Sequence, residues 1–242
     1  MLHLSEPYRV FFPLGLVFGL AGVAIWPLYS FGVTATYSGR SHTLVQIFGF
    51  LYAFIAGFLL TAVPRFTGTR PPARVTQVVL AALLTVAVVA SELRAFAVGT
   101  AAFVVAHAML LTLVGRRVVR RQQSPPPTFV QIGLALVAGA AGAVLMSAVA
   151  FELIPASWDL LGKRLLTEGM VMLLVLGVGG FLGPRLLGFA SPPIMTCRPR
   201  SQRPQRWRVS LPASSSSSPS SLNTDSICRA WRTSVRLSSR SW

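Results

Sequence analysis

Predominantly apolar stretches recur along the first four-fifths of this chain, each closed off by a short polar or charged segment. They run from Phe11 to Phe31, Thr43 to Val63, Val75 to Ala90, Ala95 to Val114, Phe129 to Ala150 and Leu165 to Leu182. A helix needs about 20 such residues to cross the ~30 Å hydrocarbon layer of a bilayer. The pattern therefore predicts an all-α fold: a polytopic transmembrane bundle of six spans occupying residues 1–190, with lipid as its solvent. Spans one and six carry Gly15-xxx-Gly19 and Gly179-xxx-Gly183, and the fifth is rich in Gly and Ala. Small residues let helix backbones approach in lipid, so these faces are expected to point inward.

The connections are informative. Ser91 to Arg94 is so short a link that spans three and four must form an antiparallel hairpin. Pro125, Pro126 and Pro127 cannot continue a helix and separate span four from span five with an extended turn. After Ala190 the character changes. The 191–242 segment holds 15 Ser, 9 Arg, one acidic residue and no Gly, a mixture that cannot bury enough apolar surface to offset chain entropy, and it is expected to be disordered. Either it is a basic tail lying on anionic lipid, or it is read out of frame from a GC-rich gene; its abrupt start and its composition favour the second.

Composition agrees with the patterning. Mean hydropathy is +0.63 and only 12% of residues are charged. The net charge of +16 is partly a property of the tail, which holds 9 of the 22 basic residues. In the membrane part, basic residues report orientation rather than nucleic-acid binding. With the N-terminus inside, the cytoplasmic segments hold nine Lys and Arg, including Arg116, Arg117, Arg120 and Arg121, against Arg40, Arg94, Lys163 and Arg164 outside. An N-in, C-in arrangement follows. The first apolar run is longer than a signal-peptide core and lacks a small-x-small cleavage site, so it is read as a retained span. Cys197 and Cys228 both lie in the tail and indicate neither a disulfide nor a redox compartment.

Few residues inside the spans are able to do chemistry. An ionisable group there is costly and is a functional candidate by default. His107 lies about two-thirds of the way along span four, either as a neutral histidine bonded to a neighbouring helix or as a ligand or proton carrier. His42 stands at the outer mouth of span two with Gln46 one turn on, as an interfacial polar pair or as a metal or proton contact. Glu168 enters span six near the same level, to meet Lys163 or Arg164 or to contact a proton or cation. His42 and Glu168 share a level and could meet. His42 and His107 differ in depth by about 18 Å at 1.5 Å per residue and are not expected to ligate one iron; a second haem ligand would be a partner's histidine or a methionine such as Met109. No phosphate-binding Gly-rich loop, zinc-type Cys pair, Ser–His–Asp set or paired glycosidase carboxylates is present, which argues against kinase and hydrolase functions.

The segment from His42 through Gly-Phe-Leu-Leu-Thr-Ala (Gly57 to Ala62) to Pro64 and Thr67-Gly68 resembles the hallmark segment of the NnrS family. Pro7-Tyr-Arg-Val-Phe-Phe-Pro-Leu-Gly15 is similar to the family's start, and the likeness extends more weakly to Gly188. The resemblance implies a multi-pass protein of the bacterial inner membrane, from a family typically of about twelve spans, containing haem and copper and linked to nitric-oxide stress and denitrification. On that likeness, six spans amount to the front half of a longer protein. It also implies His42 as a cofactor ligand, since the family reads His-Ala-His-Glu-Met here. Leu44 and Val45 replace the second histidine and the glutamate, and neither can coordinate a metal. Two other readings stand beside it: a proton- or ion-conducting bundle using Glu168 and His107, and a non-catalytic scaffold working with a further membrane subunit or as a homo-oligomer.

Overall fold

In the computed structural model, which describes residues 6–188 except 36, 124, 125 and 127, the chain is a bundle of six helices long and apolar enough to cross a membrane. His3, both cysteines, most of the Pro125–Pro127 turn and the 191–242 segment lie outside the described residues. Helix α1 is Tyr8–Ser30. Helix α2 runs as Gly39–Leu44, a π-helical turn Val45–Leu51, and Tyr52–Thr67. Helices α3, α4 and α5 are Arg74–Glu92, Phe96–Val119 and Phe129–Ala150. Helix α6 changes pitch like α2: Trp158–Arg164, a π-helical turn Leu165–Val171, then Met172–Leu186.

Local chemistry sets the ends. Helix α1 stops at Gly32, whose φ of 72° closes the last turn and lets Val33 N–H reach the Leu28 carbonyl at 2.9 Å. Ser38 then opens α2, its hydroxyl accepting from Ser41 N–H at 3.2 Å. The left-handed Gly68 ends it, its N–H reaching the Pro64 carbonyl. The short link after Glu92 turns the chain back on itself, and α3 and α4 pack along each other as the expected hairpin.

Neighbours along the chain are neighbours in space. Helix α1 lies on α2, α2 on α3 and α4, α4 on α5, and α5 on α6. Helices in lipid gain little from apolar burial against each other, so close approach and dispersion must hold them. Gly15, Gly19 and Gly22 provide that approach on α1: a Cβ at Gly19 would come 2.6 Å from the Phe50 ring, and one at Gly22 2.8 Å from Gln46 Nε2. Gly139 and Gly142 do the same on α5. The inward expectation fails for α6, where nothing lies within 4 Å of a Cβ added at Gly179 or Gly183. Among the described residues no helix packs on that side.

The first and last helix pairs are two copies of one plan. The π-helical turns start at Val45 and Leu165, and left-handed residues close the corresponding helices at Gly32 and Glu152 and at Gly68 and Gly188. Each partner in these pairs is displaced by 120 residues. At the same displacement Leu14, Val17, Gly19 and Gly22 of α1 recur as Leu134, Val137, Gly139 and Gly142 of α5, and Pro64-Arg65 of α2 as Pro184-Arg185 of α6. Two spans, α3 and α4, lie between the copies, so each helix and its equivalent are an even number of spans apart and both copies run the same way through the bundle, as a parallel repeat. The α3–α4 hairpin follows the first copy.

Candidate functional site

His42 occupies the first turns of α2, facing α1, with Nδ1 2.8 Å from the Gly22 carbonyl oxygen. A carbonyl can only accept, so Nδ1 carries the proton and Nε2 keeps its lone pair in the neutral ring. One turn on, Gln46 Nε2 donates to the Gly19 carbonyl at 3.2 Å. Both bonds reach α1 only because its glycine stripe leaves the backbone bare. The start of α2 is pinned on its other side, where Ser41 Oγ donates to the Ser91 carbonyl at 2.9 Å. That brings the end of α3, where Glu92 is the last residue, to the start of α2. Sequence reasoning missed Glu92; the available signal was a lone carboxylate ending a span at the level of His42.

The repeat shows how local this polar pair is. The residues equivalent to His42 and Gln46 are Gly162 and Leu166. There α6 meets α5 backbone to backbone, and a Cβ at Gly142 would lie 2.7 Å from the Gly162 oxygen. The first copy thus holds an imidazole where the second holds only a close approach.

His107 lies deep in the bundle and is almost completely buried. Its Nε2 is 2.9 Å from the Leu136 carbonyl and must be the donor, which leaves Nδ1 to accept from the Tyr52 hydroxyl at 3.1 Å. The neutral ring is satisfied at both nitrogens, and its one lone pair, on Nδ1, is taken by the Tyr52 hydroxyl rather than free for a metal. Gly139 makes the room: a Cβ there would come 2.7 Å from His107 Cε1 and 2.6 Å from Met170 Sδ. Tyr52, also missed by sequence reasoning, stacks edge-on to Phe103, 4.7 Å between centroids. It stands well along α2 from His42, about 15 Å at 1.5 Å per residue, so the two histidines are held at different levels. Met109 packs against the core two residues beyond His107, on a different side of α4.

Glu168 sits in the π-helical turn of α6, its side chain 73% exposed and 4.0 Å from Arg164 Nε. Among the described residues it shares no hydrogen bond or ion pair with His42 or His107. The polar tie between α2 and α6 is a different one: Arg40 to Asp159 at 3.8 Å, with Lys163 bound to the same carboxylate at 2.8 Å. Arg40 also stacks over the Phe96 ring at 4.6 Å. No group of three or more His, Cys, Asp or Glu able to hold a metal ion occurs among the described residues.

Residues 3–216, most of the chain, match the family described as NnrS protein. The chain belongs to the NnrS family. The NnrS match continues past Ala190 and takes in the first part of the Ser- and Arg-rich segment. No curated protein and no solved structure matches the chain. An NnrS membrane protein is therefore in hand, in which the histidine of the family's hallmark segment is oriented by a backbone carbonyl and the core histidine is closed off.

Proposed function

We propose that this NnrS-type membrane protein binds haem through His42 and acts where cells handle nitric oxide. The observation that supports the reading is the 2.8 Å bond from His42 Nδ1–H to the Gly22 carbonyl. A ligating histidine characteristically donates its other ring nitrogen to a carbonyl or carboxylate, which fixes the tautomer and raises the basicity of the ligating atom. Here that leaves Nε2 as the donor. Gln46 and the α1 glycines hold the ring's surroundings. A haem held there by Nε2 would supply iron able to bind a small diatomic molecule.

Copper fits less well. Protein copper sites draw on several strong donors, and Leu44 and Val45 stand beside His42 where further donors would be needed. Proton or ion passage through Glu168 and His107 is also the weaker reading, because the carboxylate lies exposed beside Arg164 while both nitrogens of His107 are engaged.

The test is an absorption spectrum of the purified protein after expression with haem supplied. A Soret band that is lost in His42→Ala and kept in His107→Leu is expected. Its absence from the unaltered protein, or its survival in His42→Ala, overturns the proposal.

A further inference from the structure

A cleft of about 600 Å³ opens between the two repeat copies, at the end of the bundle where α1 begins and α2 closes. Its walls are aromatic: Tyr8 and Phe12 from α1, Phe58 and Phe66 from α2, Phe129 from α5 and Phe181 from α6. Phe66 bridges the copies, edge-on to Phe129 at 4.9 Å and to Phe181 at 5.0 Å between centroids. The placement follows the repeat. Phe58, Thr61 and Ala62 line one side, and Val178, Phe181 and Leu182, each 120 positions further on, line the other. Equivalent positions that border one cleft put it on the axis relating the copies, and repeat interfaces are a recurrent ligand position in repeat-built membrane proteins.

The lining suits an amphiphile. Thr61 is engaged within the bundle, its hydroxyl accepting from Tyr8 N–H at 3.2 Å and donating to the Gly57 carbonyl at 2.7 Å. Phe58 lies two turns inside Arg65, so the apolar part reaches about 10 Å into the bilayer at 1.5 Å per residue. Arg65 is the one charged side chain among the described lining residues, 67% exposed at the rim and 3.2 Å from the Glu6 carboxylate. An exposed pair of this kind adds little stability, whereas a guanidinium holds a phosphate through two parallel bonds. An unfilled cleft forfeits dispersion contacts, and in a bilayer the molecule at hand to fill it is an acyl chain. The basic residues assign this end to the cytoplasm, where basic pockets between spans take anionic lipid head groups.

We propose that the cleft binds one anionic phospholipid of the cytoplasmic leaflet, an acyl chain among Phe58, Phe66 and Phe181 and the phosphodiester on Arg65 in place of Glu6. A phosphate without a chain would leave the aromatic walls bare, and a zwitterionic head would bring a second cation beside Arg65. At the opposite end the copies are joined by Arg40 and Asp159 at 3.8 Å; here the lipid joins them. The cleft lies at the far end of α2 from His42, and its occupancy does not depend on haem.

The test uses the full chain in phosphatidylcholine nanodiscs containing a trace of phosphatidylglycerol with a photoreactive diazirine on one acyl chain. Illumination is expected to label peptides of both α2 and α6, around Ala62 and Phe181, several-fold above the exposed Val137 on α5. Unlabelled phosphatidylglycerol competes this away and inorganic phosphate does not, while a phosphatidylcholine carrying the same diazirine labels the cleft no more than Val137. Arg65→Gln, and Ala62→Trp, which fills the cleft, each reduce the labelling several-fold. Glu6→Gln removes the competing carboxylate and raises it. Absence of labelling in the cleft, labelling spread evenly over the lipid-facing residues, equal labelling by the two lipids, or a yield unchanged by Arg65→Gln would overturn the proposal.

Discussion

Tyr52 and His107 meet across α2 and α4, hydroxyl to Nδ1 at 3.1 Å, and the same imidazole reaches the Leu136 carbonyl on α5 at 2.9 Å. One side chain therefore links three helices through bonds that have no water to compete with them. Tyr52→Phe keeps the ring packing on Phe103 and leaves Nδ1 without its donor. Hydrogen bonds between membrane helices are worth about 1 kcal/mol, because the separated helices find other partners. Tyr52→Phe is expected to lower stability in detergent by that amount, and His107→Leu by more, since it also strands the Tyr52 hydroxyl. A double-mutant cycle followed by thermal unfolding measures the coupling; additive effects would mean that the two groups do not interact.

The glycines of α5 separate cleanly into packed and free. A methyl at Gly139 would strike the His107 ring and the Met170 sulfur, whereas one at Gly133 meets nothing within 4 Å. Gly139→Ala should cost about 1–3 kcal/mol as an overpacking change. Gly133→Ala should be neutral, or stabilising by up to about 1 kcal/mol through helix propensity. Unfolding midpoints of the two variants in the same detergent give the comparison.

Much of the fold was legible in the sequence because charge is so sparse between Val10 and Gly183 that most charged segments mark helix ends, Lys163, Arg164 and Glu168 within α6 being the exception. The α3–α4 hairpin followed from link length alone. Which faces meet was not legible. Apolar residues surround every helix, so periodicity does not show that Tyr52 points at His107 or that Gly179 points away from the bundle. The π-helical turns were equally silent, since Val45–Leu51 contains no residue that demands them. The repeat was there to be found: Pro-Arg followed three residues later by Gly occurs at 64–68 and again at 184–188. His42 was a candidate from the sequence, but its bond to Gly22 depends on a glycine stripe lying on the other helix.

Asp159 binds Lys163 at 2.8 Å and lies 3.8 Å from Arg40, joining the starts of α2 and α6 across the bundle. Its carboxylate is only partly exposed, and Asp159→Asn removes the negative charge while keeping the shape. The two cations then face each other without their counter-ion. A loss of about 1 kcal/mol is expected in low salt, shrinking as added salt screens the pair over a Debye length of ~10 Å at 0.1 M. Thermal unfolding of the unaltered protein and the Asp159→Asn variant at two salt concentrations reads the difference, and an equal loss at both would assign the effect to packing instead.

Orientation is open to direct measurement because basic residues are distributed so unevenly. Arg116, Arg117, Arg120 and Arg121 cluster at the end of α4, while the opposite end of the bundle holds Arg40, Arg94, Lys163 and Arg164 spread over three segments. Only the first arrangement concentrates charge in one short loop, and such loops are retained on the cytoplasmic side. An alkaline-phosphatase fusion after Arg121 should therefore be inactive and one after Asp159 active, with a fluorescent-protein fusion giving the reverse. Replacing all four arginines of the cluster with Gln should weaken that preference and yield a mixed population. Activity of the Arg121 fusion in the unaltered chain would place the N-terminus outside and invert every span.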